Sequence, residues 1–210
     1  MNISDVISLA KNAELKQLAV SESEDDTAIL GFLNLGVLEI HKRFPLIQSK
    51  AVITVVEGKT LYSLDGTDTD VTVNLSRNSL LMVDEVHDEN SNELGLNDEE
   101  DCFGVFTPEY NVIEIPSGTL EFTKTITVVY RAAPNFYTTE STTISLPPQF
   151  LECLLHYIGY RGHSSLRGDT KFENNAHYIR FEKSIATIES KGLFTEESLA
   201  SNKFEKRGFV

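Results

Sequence analysis

Cys153 and His156 lie three residues apart in a segment of helical pattern, and a cysteine paired with a histidine can act as a nucleophile. That chemistry needs surroundings that lower the pKa of the thiol. Cys153 instead stands beside Leu154 on the apolar side of its segment. We therefore expect a small buried side chain there and not a catalytic cysteine.

Other motifs for chemistry are missing from the sequence. It contains no glycine-rich phosphate loop, no Gly-x-Ser-x-Gly, no His-Glu-x-x-His and no zinc-site spacing of its two cysteines. The acidic loop 65–70 misplaces the glycine of an EF-hand, and in the loop 97–101 the glycine position falls on Cys102. His87 has acidic neighbours, but adjacent residues of a strand point to opposite faces. The sequence predicts no catalytic residue, no metal site and no cofactor, and we expect the protein not to be an enzyme.

The composition is that of a globular protein with an acidic surface. With 210 residues, of which 40% are hydrophobic, the chain can form one domain, or one domain with an insertion. The net charge of −14 argues against the basic surface with which most proteins bind nucleic acid. The sequence does not open like a signal peptide, and no apolar run approaches the roughly 20 residues of a membrane span. We expect a protein made in a reducing cytoplasm, without a membrane partner.

The segment 146–191 predicts a helical hairpin. Leu146-Pro147-Pro148 suits a helix start, and apolar residues then recur at steps of three and four on both sides of Arg167-Gly168-Asp169. The hairpin is rich in basic and histidine side chains, which either contact the acidic face of a neighbouring subunit or form solvated helix faces. These side chains are His156, Arg161, His163, Arg167, His177, Arg180 and Lys183.

Residues 3–20 and 26–43 show the same apolar period and predict two further helices. Gly31 and Gly36 interrupt the second helix, where we expect them to allow close packing against another helix. The middle of the chain is rich in β-branched residues and turn formers. Its predicted strands are 50–57 and 60–64, joined as a hairpin, then 71–75, 79–87, 112–115 and 120–131.

This order of elements predicts an α+β fold. Residues 1–48 and 146–192 would form an antiparallel helical bundle, into which a β-rich domain of sandwich or barrel type is inserted at 49–145. The tail 193–210 is polar and charged with no strong period. We expect it to be disordered or to order only on a partner.

The segment 130–180 contains a series of short motifs. They are Tyr-Arg-Ala-Ala-Pro at 130–134, Leu-Pro-Pro-Gln-Phe at 146–150, Tyr-Ile-Gly-Tyr-Arg-Gly at 157–162 and Asn-Asn-Ala-His-Tyr at 174–178. With a helical pair before them and a β-rich middle, they resemble the head-to-tail adaptor proteins of tailed phages, of the tail tubular protein A type. Gly162 stands where that family usually has alanine.

The resemblance implies a ring, typically of twelve copies, that docks beneath the portal and lets DNA pass through its channel without specific binding. Its partners would be the portal protein and a tail tube, nozzle or fibre protein, and its location the tail or neck of the virion. The implied portal-binding residues in the tail are Phe204, Lys206, Arg207, Phe209 and Val210. The implied subunit-interface residues are Tyr157, Tyr160, Arg161, His163, Arg167, Tyr178 and Arg180.

Two other classes of function stay open. A β-rich carbohydrate- or protein-binding module of a virion accessory protein would need an exposed aromatic cluster, for which the candidates are Tyr62, Phe103, Phe106 and Tyr110. A small hydrolase would need His41, His87 and His156 to converge with carboxylates.

Overall fold

The computed structural model describes residues 1–18, 20, 23–73, 80–101, 103–165 and 171–192. By its contacts the chain divides into two compact units, one of Met1–Ile40 with Phe136–Val210 and one of His41–Asn135. The described part of the first unit is mainly helical, and the second contains antiparallel sheets. The protein is therefore of mixed α/β class with antiparallel strands.

The described residues form five α-helices and seven strands. The helices are α1 Ile3–Asn12, α2 Ser23–Arg43, α3 Ser117–Leu120, α4 Leu151–Ser165 and α5 Lys171–Ser190. The strands are β1 Gln48–Thr54, β2 Leu61–Ser63, β3 Val71–Val73, β4 Leu80–His87, β5 Phe106–Glu109, β6 Val112–Glu114 and β7 Thr125–Ala132. Single 3-10 turns at Lys16–Leu18 and Pro148–Phe150 complete the set.

The first predicted helix, 3–20, is wrong in its length. The chain leaves α1 after Asn12, and Leu15 then donates its N–H to the carbonyl of Ala10 across a tight turn. Leu15 and Leu18 are nevertheless buried. Their burial explains why the apolar period continued past the end of the helix. The break leaves Glu14 in a turn and not on a helix face.

The second helix, α2, begins three residues earlier than predicted, at Ser23. Its two glycines have different surroundings. A Cβ on Gly36 would lie 2.7 Å from Leu154 Cδ1 and 3.0 Å from Tyr157 Cδ1 on α4, so the predicted close packing is confirmed there. A Cβ on Gly31 would meet no described atom within 4 Å, so for Gly31 that prediction is wrong.

The hairpin helices α4 and α5 bury part of their predicted apolar stripes, with Leu154, Ile158 and Ile185 at most 2% exposed. In α5 the predicted stripe is wrong at Ala176 and Ile179, which are exposed, and the fully buried Phe181 was not predicted. Before α4, Pro148 begins a 3-10 turn and Pro147 is its N-cap residue. Gly192 follows α5 with a φ of +57°. That φ is one that glycine adopts without strain, so Gly192 can end the helix. The predicted turn at 167–169 lies outside the described residues.

The strands form two antiparallel sheets with the orders β3-β1-β7-β4 and β2-β6-β5. Strand β1 shows a strict alternation of exposed and buried residues, and Ala51 and Ile53 on its buried side pair with Val128 and Ile126 of β7. A single cluster of buried side chains joins residues of both sheets. It includes Ile53, Tyr62, Val86, Val105, Ile113, Ile115, Ile126 and Val128.

The predicted hairpin of 50–57 with 60–64 is wrong. Strand β1 pairs with β3 and β7, whereas β2 pairs with β6 in the other sheet. The chain does turn at Gly58, with a φ of +79°. The buried Tyr62 hydroxyl holds that turn, because it accepts the N–H of Val56 and donates to the carbonyl of Lys59. Alternation identified both strands but did not specify which strands pair.

The predicted strand 120–131 is wrong at its start, because the single helical turn α3 precedes it and β7 begins at Thr125. Strand β5 was not predicted. It contains Pro108, which has no backbone N–H to donate, and proline within a strand is therefore found mainly at sheet edges. The structure places β5 at the edge of its sheet, where the missing N–H costs no ladder bond.

The two glycines of α2 provide a matched stability test. We expect Gly31→Ala to raise the free energy of unfolding by about 0.5–1 kcal/mol, because alanine favours helix and finds open space. Gly36→Ala gains the same propensity but must displace Leu154 and Tyr157, so we expect a net loss of about 1–3 kcal/mol. Urea denaturation of both variants measures the difference, and equal shifts of the same sign would contradict the packing.

Candidate functional site

Four aromatic rings on α4 and α5 form one cluster. Tyr157 contacts Phe181 at 5.3 Å between ring centroids and Tyr160 at 5.8 Å, both edge to face. Tyr160 lies 5.2 Å from Tyr178, whose centroid is 6.3 Å from that of Phe181. Phe181 is fully buried and Tyr178 is 41% exposed, so the cluster runs from the core to the surface. We call Tyr157, Tyr160, Tyr178 and Phe181 the aromatic cluster.

The structure brings together three of the residues that the resemblance assigned to a subunit interface, namely Tyr157, Tyr160 and Tyr178. Arg161 is half-buried on α4 and Arg180 is exposed on α5. Arg167 lies outside the described residues, as do the predicted portal-binding residues Phe204, Lys206, Arg207, Phe209 and Val210.

His163 is a correction to the predicted interface, because its side chain is only 2% exposed. Its Nε2 donates to the backbone carbonyl of Glu14 over 3.0 Å, in the turn after α1. Its ring also stacks on that of His177, with centroids 4.8 Å apart and planes 16° from parallel. The side chain of His163 thus contacts the interior of its own unit and is not available to a neighbour.

His177 is buried beside an acid. Its Nδ1 lies 2.9 Å from Glu14 Oε2. Burial lowers the pKa of His177, and this outweighs the Glu14 carboxylate, which acts to raise it. His156, on the neighbouring helix, lies within 6.5 Å of His177 between ring centroids. The histidines of the hairpin therefore form a cluster with Glu14, where the sequence suggested solvated faces or contacts with a neighbour.

Lys59 forms ion pairs with two of the three aspartates in the acidic loop 65–70. Its ammonium donates to Asp68 at 2.6 Å and to Asp70 at 2.7 Å. Desolvation raises the pKa of Asp68, but hydrogen bonds from Lys59 and from backbone N–H groups more than offset this, so the pKa is lowered. The Asp65 carboxylate accepts two hydrogen bonds from Thr67, one from its N–H and one from its hydroxyl. The carboxylates of this loop are committed to local contacts.

The aromatic residues proposed for a binding module do not form one surface. Tyr62 is fully buried, which corrects its predicted exposure. Tyr110 is 77% exposed, and Phe106 is half-buried. Phe103, 47% exposed, instead packs edge to face on Phe122, with centroids 5.8 Å apart. Phe122 was missed because it falls inside a segment predicted as strand.

Cys153 is a buried thiol, as the apolar pattern predicted. Burial, with a smaller contribution from the Glu152 charge, raises the pKa of Cys153 to about 11. A catalytic cysteine needs a lowered pKa, so the environment opposes nucleophilic chemistry here.

A partly exposed aromatic cluster on rigid helices is typical of proteins that act through contact with other proteins. Comparison with protein-family models specifies the class. Residues 1–201 match the model described as SU10 adaptor protein, and the chain belongs to that family. This confirms the resemblance to phage head-to-tail adaptors and indicates an adaptor role in a virion. A structural adaptor family also suggests a protein without enzymatic activity.

The comparison with individual curated proteins gives no match. Among the described residues, no helix has both the length and the apolar character to span a membrane.

The environment of Cys153 predicts an unreactive thiol. In a Cys102→Ser variant, which leaves Cys153 as the single cysteine, we expect native protein to react with Ellman's reagent at pH 8 at least about 100-fold more slowly than urea-unfolded protein. The reason is a low thiolate fraction combined with burial. Absorbance at 412 nm follows the reaction, and a native rate near the unfolded one would contradict the assigned environment.

Proposed function

We propose that this protein is a head-to-tail adaptor that assembles as a closed ring, of twelve copies, beneath the portal of a tailed phage. In this function it links the portal to the tail and leaves a channel through which DNA passes during packaging and ejection. The observation that carries the proposal is the match of residues 1–201 to the SU10 adaptor family model. Its location would be the neck of the virion.

A ring of identical subunits needs a head-to-tail contact in which two different surfaces of one chain meet. The exposed part of the aromatic cluster suits one of these surfaces. Tyr178 is 41% exposed, and the adjacent Ile179 is 64% exposed. Large rigid aromatic side chains contribute most to such contacts, because they bury much area and lose little conformational freedom. We assign Tyr160 and Tyr178, with Arg161 and Arg180 beside them, to the contact with a neighbouring copy.

The portal contact is proposed for the end of the chain. The residues are Phe204, Lys206, Arg207, Phe209 and Val210, two aromatic rings and two cations in a protein of net charge −14. Such a segment can insert its rings into a pocket while its cations pair with acidic side chains of the partner.

The net charge also supports a channel without specific DNA binding. Eighteen lysines and arginines are outnumbered by 32 acidic residues, so a lumen made of this protein repels phosphates on average. A surface that bound the backbone strongly would slow the passage of DNA.

We propose that residues 1–48 and 146–192 act as a helical bundle and residues 49–145 as an inserted β-rich domain. These bounds differ by up to ten residues from those of the two compact units. The β-rich domain would bind the tail tube, nozzle or fibre protein. The exposed pair Phe103 and Phe122 supports a protein contact on this domain. The same pair is the remaining support for the alternative of a carbohydrate-binding module, for which Tyr62 is excluded by burial.

Mass photometry of the protein, alone and with the portal ring of the same virus, tests the ring. We expect either a closed oligomer alone or a fixed number of copies on each portal, because a closed ring has a defined subunit number. Deletion of residues 204–210 should abolish portal binding, while circular dichroism stays unchanged. A protein that ignores the portal, with or without these residues, would contradict the proposal.

Tyr178→Ala tests the subunit contact. We expect it to weaken assembly at least about 10-fold, or about 1.4 kcal/mol per interface, since truncation removes a ring at the proposed contact. Tyr110→Ala is the matched control, because Tyr110 is 77% exposed on the other unit. Both variants are followed by mass photometry across a dilution series. Equal assembly of Tyr178→Ala and the wild-type protein would remove the aromatic cluster from the interface.

A further inference from the structure

Three side chains from three separate segments meet inside the helical unit. Glu14 comes from the turn after α1, His156 from α4 and His177 from α5. One ligand atom of each lies within 4.8 Å of those of the other two. Glu14 Oε1 is 3.5 Å from His156 Nδ1, and Glu14 Oε2 is 2.9 Å from His177 Nδ1. We call these residues the Glu14–His156–His177 cluster.

We propose that the Glu14–His156–His177 cluster binds one divalent transition-metal ion, Zn²⁺ by its ligand chemistry, which joins the turn after α1 to both helices of the hairpin. The proposal is independent of the adaptor function. Its first support is the state of the two ring nitrogens. The Nδ1 atoms of His156 and His177 are buried and make no hydrogen bond of acceptable geometry, although each lies near Glu14. Buried polar atoms of this kind require a partner, and a cation between them would supply it.

The ligand set selects the metal. Two imidazole nitrogens and one carboxylate suit Zn²⁺, whereas Ca²⁺ and Mg²⁺ prefer sets made of oxygen alone. A tetrahedral Zn²⁺ site places its ligand atoms roughly 3.3 Å apart, given metal–ligand bonds of about 2.0–2.1 Å. The spacings of 2.9 and 3.5 Å, which run to the two different oxygens of Glu14, lie on either side of that value. With one ligand atom per residue the set lies within 4.8 Å, so the ligands must move closer together around the ion. Three protein ligands leave the fourth position to water.

The surroundings hold two of the ligands in place. A Cβ on Gly159 would lie 2.8 Å from His177 Nδ1, so the absence of a side chain on α4 is what lets that ring approach. His163 stacks on the same ring and donates to the backbone carbonyl of Glu14, which fixes the turn. Fixed supporting groups of this kind pre-organise metal ligands and raise metal affinity.

The cluster has access to solvent. A cavity of about 330 Å³ is lined by Glu14 and His177, together with Ala13, Gln17 and Ala176. His156 lines a second cavity, of about 580 Å³. Arg180 lines both and brings a positive charge, but its side chain is exposed and can turn into water. These openings give an ion an entry path and give water a place at the fourth position.

Metal titration of untagged protein tests the site, because a purification tag of histidines would itself bind Zn²⁺. After removal of metal with a chelator and then of the chelator, we expect calorimetry to show one Zn²⁺ per chain with a Kd below about 10 µM. At 100-fold excess over Kd, we expect the melting temperature to rise by roughly 5–10 °C. Co²⁺ should give the visible absorption of a tetrahedral site.

Single variants identify the ligands. We expect Glu14→Gln, His156→Gln and His177→Gln each to weaken Zn²⁺ binding at least about 100-fold. His87→Gln is the matched control, because His87 is a half-buried histidine beside a carboxylate, Glu85, in the other unit. His156 is the less buried of the two histidines, so we expect His156→Gln to disturb the fold less than His177→Gln. Each variant must keep the wild-type circular dichroism without metal.

Two results would overturn the proposal. The first is the lack of a saturable site of one ion per chain in the wild-type protein. The second is binding that survives in a folded His156→Gln or Glu14→Gln variant, or that is lost equally in His87→Gln. Portal binding is measured separately from Zn²⁺ binding. A failure of the metal proposal can therefore be distinguished from a failure of the adaptor proposal.

Discussion

The packing of the helical unit depends on glycines. Because glycine has no Cβ, a side chain from another segment can lie directly against the helix at these positions. His177 of α5 lies against Gly159 of α4, and Leu15 of the turn after α1 lies against Gly162, where a Cβ would clash with Leu15 Cδ2. A third glycine, Gly36 of α2, receives Leu154 and Tyr157 of α4. Each glycine costs helix propensity of about 1 kcal/mol, which the closer packing of the neighbouring side chains must offset. Alanine at 162 would require Leu15 to move, so the packing of the turn after α1 depends on glycine at this position.

This packing gives α4 and α5 two different edges. On one edge the rings of Tyr157, Tyr160 and Tyr178 extend from the buried Phe181 to the surface. On the other, His156 and His177 surround the carboxylate of Glu14. The aromatic edge is apolar and partly exposed, whereas the histidine edge is polar, with His177 buried and Glu14 and His156 half-buried. The same two helices therefore provide both a partly exposed aromatic surface and a polar interior that contacts the α1 turn.

Apolar periodicity predicted the long helices and most strands, because it indicates which residues are buried. It does not distinguish a residue buried from a helix from one buried from a turn. Leu15 and Leu18 are buried from a turn, so the pattern hid the end of α1 and with it the position of Glu14. Gly31 and Gly36 are equivalent in sequence, and only their packing against α4 separates them. Strand pairing is a long-range property, which is why β1 and β2 were assigned to one hairpin. Of the candidate site residues, Tyr157, Tyr160 and Tyr178 lie together in one cluster, which the sequence did not predict, and His163 is buried.

For the proposed subunit contact, the aromatic cluster offers rings that are already packed before assembly. A tyrosine that is free in solution loses rotamer freedom when it binds, and this loss reduces affinity. Tyr178 already packs on Tyr160 at 5.2 Å and on Phe181 at 6.3 Å, so part of that cost has been met during folding. Because Phe181 is fully buried, the cluster is anchored in the core and not only at the surface. A pre-organised aromatic surface of this kind suits the proposed ring, in which many identical contacts would have to form in the same geometry.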